Sequence, residues 1–250
     1  MIAQAADTVL MTLVVLCRIG SCLMFIPGFS STRVPVRVRL FIALSISAAV
    51  APLIALPGFV SAIEPNVELA RIILAETAFG VLLGLLCRFI FNALEVMGEV
   101  ISMAIGLTNN LGAPIESNEV MPTLSALISL TASLLFLVLD LHWEIFRGIV
   151  NSYAVVPLGV RIEFRSSLIE LVDVAGFAFT AALKIAGPFL IFSLIANFAF
   201  GLVNKMIPQI PIYFVSMPFI LSGGTWLFFA ISKSAFKVFI VMFSLWLSKL

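Results

Sequence analysis

Ionisable residues in apolar surroundings are the first candidates for chemistry in this chain. Arg18 stands in the middle of an apolar run at 8–28, Glu76 early in one at 70–94, Asp140 near the end of 123–141, and Lys184 inside 174–203. Ionisable side chains within membrane helices face protein or water and often mark ion or substrate paths. Such a set is the raw material of a transporter's relay, although the spacing assigns no partner to Arg18 or Lys184. Catalysis finds no matching constellation. The sole histidine, His142, is followed by Trp143 and Glu144, so there is no H-E-x-x-H zinc pair. One imidazole cannot build a histidine-rich metal centre. Asp140 and His142, two residues apart, fall on different helix faces and make no dyad. Neither a G-x-S-x-G elbow nor a P-loop occurs. The chain reads as a non-enzyme without metal or cofactor.

Three patterns carry more information. Glu76, Gly80, Gly84, Arg88, Asn92, Glu95 and Glu99 follow one another at steps of three or four, which lines them along one helix face. Glycines let a second helix approach closely, and charges avoid lipid. Glu76 and the two glycines therefore predict a packed protein interface. Glu95 and Glu99 have two readings, the same interface or a polar helix end emerging into water. Residues 106–122, GLTNNLGAPIESNEVMP, reject a regular helix and predict a loop. That loop is either a cytoplasmic connector or a re-entrant segment plugging a pore, where irregular backbone is permitted. Residues 196–218, ANFAFGLVNKMIPQIPIYFVSMP, interrupt an apolar region with Asn197, Asn204, Lys205, Gln209, Pro208, Pro211 and Pro218. Proline removes a backbone donor and clashes with the preceding turn, so bends are expected here.

These residues must be positioned by helices in an apolar medium. The sequence is 62% hydrophobic and 11% charged, with a mean hydropathy of +1.21. A soluble domain is about half apolar and roughly a quarter charged, so the composition is that of a polytopic integral membrane protein. A net charge of +1 gives no support for a nucleic-acid partner. Cys17, Cys22 and Cys87 read as small buried hydrophobes rather than disulfides or ligands. The first seventeen residues lack Lys and Arg, so the first apolar stretch is expected to be a retained helix, not a cleaved signal.

A helix needs about 20 apolar residues to span the hydrocarbon core. Six regions qualify: 8–28, 39–60, 70–94, 123–141, 174–203 and 212–248. The last could be two helices with a corner at Gly223-Gly224 or Lys233. The expectation is an all-α single membrane domain over 1–250, with six to eight helical pieces and no internal repeat. Arg33, Arg37 and Arg39 place 29–39 in the cytoplasm by the positive-inside rule, and alternation returns 95–122 and 204–211 to that side. The connector 142–173 would then lie outside despite Arg147, Arg161 and Arg165, a conflict with simple serpentine spanning.

Several stretches coincide in order and spacing with one family: VPVRVRLFIA at 34–43, AP at 51–52, GEVISMAIGL at 98–107, MPTLSALISL at 121–130, LLFLVLDLHWEIF at 134–146, NSYAVVPLG at 151–159 and NFAFGLVNKMIPQIPIYFVSMPF at 197–219. Together they resemble the FliR family of flagellar biosynthetic proteins of the type III export apparatus, and more distantly its virulence-secretion homologues. The most specific piece is N-x-x-x-G-x-x-N-K-x-x-P-Q, from Asn197 through Gly201, Asn204, Lys205 and Pro208 to Gln209, with Pro218 downstream. Leu141 stands where members often carry Gly, and NNLGAPIE differs in detail from the usual plug sequence.

The resemblance implies a subunit of the export gate in the bacterial inner membrane, at the flagellar basal body. Bent helical hairpins would pack with several FliP-like and FliQ-like subunits into a heteromeric ring around the channel, with one FliR-like copy per complex. Other basal-body export proteins, transient unfolded flagellar substrates and membrane lipid complete the implied partners. The plug loop maps to Gly106, Leu107, Asn109, Asn110, Leu111 and Pro114, and the helix break to Asn204, Lys205, Pro208 and Gln209. Two other readings stand beside it. A secondary transporter would use Arg18, Glu76, Asp140 and Lys184 as its relay, and a passive scaffold would use its broken segments only for packing.

Overall fold

The computed structural model describes residues 2–30, 34–54, 67–107, 122–158, 164–209 and 211–247. Within them the chain forms helices α1 (Ile2–Phe25), α2 (Val36–Ile54), α3 (Val67–Ile105), α4 (Thr123–Val138), α5 (Leu141–Val155), α6 (Phe164–Met206) and α7 (Ile212–Leu247). The all-α expectation holds. Prolines mark several starts: the carbonyls of Pro35, Pro122 and Pro211 accept the first turns' N–H groups of α2, α4 and α7. A proline suits a helix start because its missing donor would have no partner there.

The central element is α3, which packs against α1, α4, α6 and α7, while α2 lies on α1. Its 39 residues, the 43 of α6 and the 36 of α7 correspond to lengths of about 54–64 Å at about 1.5 Å per residue. That is roughly twice the hydrocarbon thickness of a bilayer. Five helices are long and apolar enough to cross a membrane, and the pair α4–α5, bent by 67°, could supply a sixth broken span.

Two expectations are corrected. The C-terminal apolar region has no corner at Gly223-Gly224 or Lys233: α7 is one helix that also continues through Pro218. Gly224 instead receives the Ile105 side chain of α3, where a Cβ would collide with it. Close packing, not a turn, is what this glycine serves. The supposed connector after residue 141 begins with a regular 15-residue helix, α5. It is too short to meet the spanning criterion, and its apolar residues Leu141, Ile145 and Ile149 recur every four positions on the buried face. Asp140, weighed above as a relay residue, sits between α4 and α5. It is exposed at the α4–α5 corner with φ 55, a left-handed conformation that Asp tolerates better than most side chains.

Candidate functional site

Gly80 and Gly84 of α3 pack against α1. A Cβ on Gly80 would meet the backbone carbonyl of Arg18 and Oγ of Ser21, and one on Gly84 would lie 2.7 Å from Cβ of Phe25. Helices α1 and α3 therefore approach backbone to backbone at this pair. One turn earlier, α3 turns Glu76 toward α1, and the carboxylate meets Arg18. The guanidinium donates from Nε to Oε2 of Glu76 at 2.6 Å and from Nη2 to Oε1 at 3.0 Å, a two-pronged pair. Both side chains are almost wholly buried.

The remaining donors of Arg18 reach α5. Nη1 donates to Oγ of Ser152 at 3.0 Å and Nη2 to the carbonyl of Val156 at 3.1 Å, just past the end of α5. The guanidinium carbon also lies 3.9 Å from the ring centroid of Tyr153 and 4.6 Å from that of Phe79. One arginine thus ties three helices, with its charge met by a carboxylate, two oxygen acceptors and two aromatic faces. A buried ion pair is tolerated when geometry and hydrogen bonding are this complete. Sequence spacing could place Arg18 and Glu76 on helices, but not in register with each other. Ser152 and Tyr153 gave no signal beyond the periodicity of α5.

Further along α3, the stripe meets α4. Ser125 donates to the backbone carbonyl of Glu95 at 3.1 Å and Ser129 to its carboxylate at 3.3 Å. Gly98, outside the predicted stripe, lets Ser125 come close: a Cβ there would sit 2.8 Å from the serine Cα. Glu95 and Glu99 are half-buried on a helix that continues to Ile105, as are Arg88 and Asn92. Near this crossing, Phe91, Phe136, Phe239 and Phe243 from α3, α4 and α7 meet edge to face, with centroids 5.3–6.1 Å apart.

The predicted plug begins where α3 stops. Gly106 has φ +79, its N–H donates to Met103 and that of Leu107 to Ser102 at 2.8 Å. This is the Schellman ending that a glycine permits, and Leu107 folds back, half-buried, against the core. Asn109, Asn110, Leu111 and Pro114 lie outside the described residues.

The helix-break residues lie in the last turns of α6 and just beyond it. Gly201, Asn204, Lys205, Pro208 and Gln209 are all exposed, and α6 ends at Met206 with a turn leading into α7. Asn197 donates to Ser193 one turn back at 3.1 Å. Phe198, Met206, Phe214 and Phe219 present bare apolar surface around them. Lys184 is exposed on α6. The four-residue relay is not assembled: Arg18 and Glu76 meet, whereas Asp140 and Lys184 are exposed residues elsewhere.

Comparison with known proteins supplies the family of this fold. Residues 9–245 match the family described as "Bacterial export proteins, family 1". The chain is similar to flagellar biosynthetic proteins FliR of three bacteria. It is 28% identical to that of Caulobacter vibrioides over 82% of this chain and 81% of the relative. For Escherichia coli the figures are 29%, 79% and 75%, and for Aquifex aeolicus 30%, 83% and 79%. Matches that run nearly end to end, on an all-helical apolar fold, leave one assignment: the chain belongs to family 1 of the bacterial export proteins, the family of the flagellar biosynthetic proteins FliR.

Proposed function

We propose that this chain is a non-enzymatic subunit of the flagellar type III export gate, lining part of the channel through which unfolded flagellar proteins leave the cell. Membership in the family makes it a component of the flagellar export apparatus. The observation that carries the finer reading is the α6–α7 hairpin. Each of its helices is about twice as long as a bilayer is thick, and the most apolar 18-residue window of α6 is only 11% buried. Surface of that extent needs covering, and lipid can cover only about half its length. FliP-like and FliQ-like subunits in the bacterial inner membrane would cover the rest.

The role of residues 106–114 as the plug rests on the family resemblance and on the way α3 ends. Gating in this reading is mechanical: the loop seals the resting pore and moves aside for substrate. The energy comes from partner proteins or the proton gradient, as no nucleotide-binding motif occurs in the sequence.

The test is co-purification. Expressed with FliP-like and FliQ-like proteins of the same bacterium, the chain should emerge in one complex containing several copies of each and a single copy of itself. A lone monomer under those conditions rejects the reading. Substrate flux by the purified single chain would favour a transporter instead.

A further inference from the structure

Between α1, α2 and α5 lies a half-open cleft of about 570 Å³ that the export reading does not use. Ile19, Ile46, Val50, Ile149 and Val150 make its floor and walls, with Ala49 on the α2 side. Its rim is different: Trp143, Arg147 and Asn151 stand one turn apart along α5 and edge the opening. Trp143 is 61% exposed, and the Arg147 side chain 73%. Glu144 is half-exposed beside them, accepting from Nη1 of Arg147 at 2.9 Å. Helix α5 is thus amphipathic, with Leu141, Ile145 and Ile149 buried and Trp143, Glu144 and Arg147 outward. An exposed Trp with a neighbouring Arg suits the membrane interface.

We infer that this cleft holds one acyl chain of a zwitterionic glycerophospholipid of the phosphatidylethanolamine type, its headgroup lying on the Trp143–Glu144–Arg147 rim. The charges match in sign and order. Arg147 spends one donor on Glu144, and its planar fork keeps the others for a phosphate. Glu144 accepts the ammonium group that follows the phosphate in such a headgroup. An exposed Arg–Glu pair contributes little by itself, so reorganising it around a headgroup costs little. The cleft volume falls in the usual range of about 300–1,000 Å³ for small-ligand sites, and its apolar walls with a few polar groups at the mouth follow the same pattern. The inference is independent of the channel role, because no residue of the plug or the hairpin takes part.

The test uses the full chain in detergent with Trp226 and Trp246 replaced by Phe, leaving Trp143 as the only indole. Phospholipids brominated on the acyl chain are then titrated and quenching is followed. Brominated phosphatidylethanolamine should quench saturably, and Arg147→Ala should weaken it about fivefold, the loss of one charge-assisted contact. Glu144→Gln should remove the preference over brominated phosphatidylglycerol. Ala49→Phe, which fills the cleft from the exposed face of α2, should abolish saturation and leave the thermal midpoint of the chain unchanged. Equal, non-saturating quenching by both lipids that none of the variants alters would overturn the inference. Loss of quenching in the assembled complex would also overturn it, because a protein segment would then own the cleft.

Discussion

Helices α1 and α6 are both apolar, with mean hydropathies of 2.0 and 1.9 in their most apolar windows, yet the fold uses them in opposite ways. In those 18-residue windows the buried share is 39% for α1 and 11% for α6. Helix α1 is held by the two-pronged Arg18–Glu76 pair and by glycine contacts that bring α3 against its backbone. Helix α6 presents Leu194, Ile195 and Phe198 outward, and Gly201 faces open space. Hydropathy measures which surfaces avoid water and is silent about whether protein or lipid meets them. The α1–α3–α5 knot is complete within the chain. The α6–α7 hairpin is complete only with something outside it.

The largest effect should come from removing one side of the ion pair. Glu76→Ala leaves the Arg18 guanidinium buried without its counter-charge, a change that typically costs about 3–5 kcal/mol. The detergent-solubilised chain should lose most of its folded yield and a large part of its thermal midpoint. Glu76→Gln, which keeps an acceptor and the volume, should fall between. The double variant Arg18→Met with Glu76→Met should recover much of the loss, since apolar replacement of a whole buried pair is often neutral. A Glu76→Ala chain as stable as the parent would break the contrast, making the knot no more internal than the hairpin.

Glycine substitutions sharpen the same comparison. Gly84→Val places a branched side chain where even a Cβ would be 2.7 Å from Phe25 and 2.8 Å from the Cys22 carbonyl. Forcing the helices apart should destabilise the chain by about 1–3 kcal/mol. Gly201→Ala meets nothing within 4 Å. In the isolated chain it should be neutral or stabilising, by up to about 1 kcal/mol from helix propensity. In the complex it should lower the recovery of partner subunits if a neighbouring helix occupies that space. Thermal melts of the single chain and subunit ratios after co-purification read the two effects separately.

The contrast also explains what was legible in the sequence. Glu76, Gly80 and Gly84 could be read as a contact face because helical periodicity alone puts them together. Their partner could not, because Arg18 is 58 positions away and its register depends on how α1 and α3 seat. Helix α5 escaped a length criterion suited to spanning segments, although its four-residue apolar spacing was present. Gly223-Gly224 carried the usual mark of a corner, and only the neighbouring Ile105 and Phe192 side chains show the pair serving contact instead. The prolines were read as bends; Pro208 lies just beyond the end of α6, whereas Pro218 is absorbed within α7.

A smaller effect on the chain itself is expected from Phe198→Ser on the outer face of α6. Phe198 is 68% exposed, so little internal packing is lost. Exposed substitutions of this kind usually stay within about 0.5 kcal/mol. The thermal midpoint should hardly move while co-purified FliP-like and FliQ-like protein falls several-fold. Equal recovery of partners would mean that this face meets lipid, and the hairpin would then be an ordinary span.

The smallest structural effect should belong to the loop assigned to the plug, and its consequences for function should be the most specific. Deletion should begin after Leu107, because the Leu107 N–H caps α3 through Ser102 and its side chain packs on the core. Removing 108–114 keeps that ending and the Gly98–Ser125 crossing that joins α3 to α4. A chain so shortened should fold and assemble with an unchanged melting profile. Ion conductance across membranes holding the assembled complex should rise, because the seal is gone while the walls remain. Removing 107–114 should add a loss of stability, since the cap goes too, and comparing the two deletions separates sealing from support. If the shorter deletion assembles normally and conductance stays at the parental level, the seal lies elsewhere, and the loop after Gly106 is only a connector.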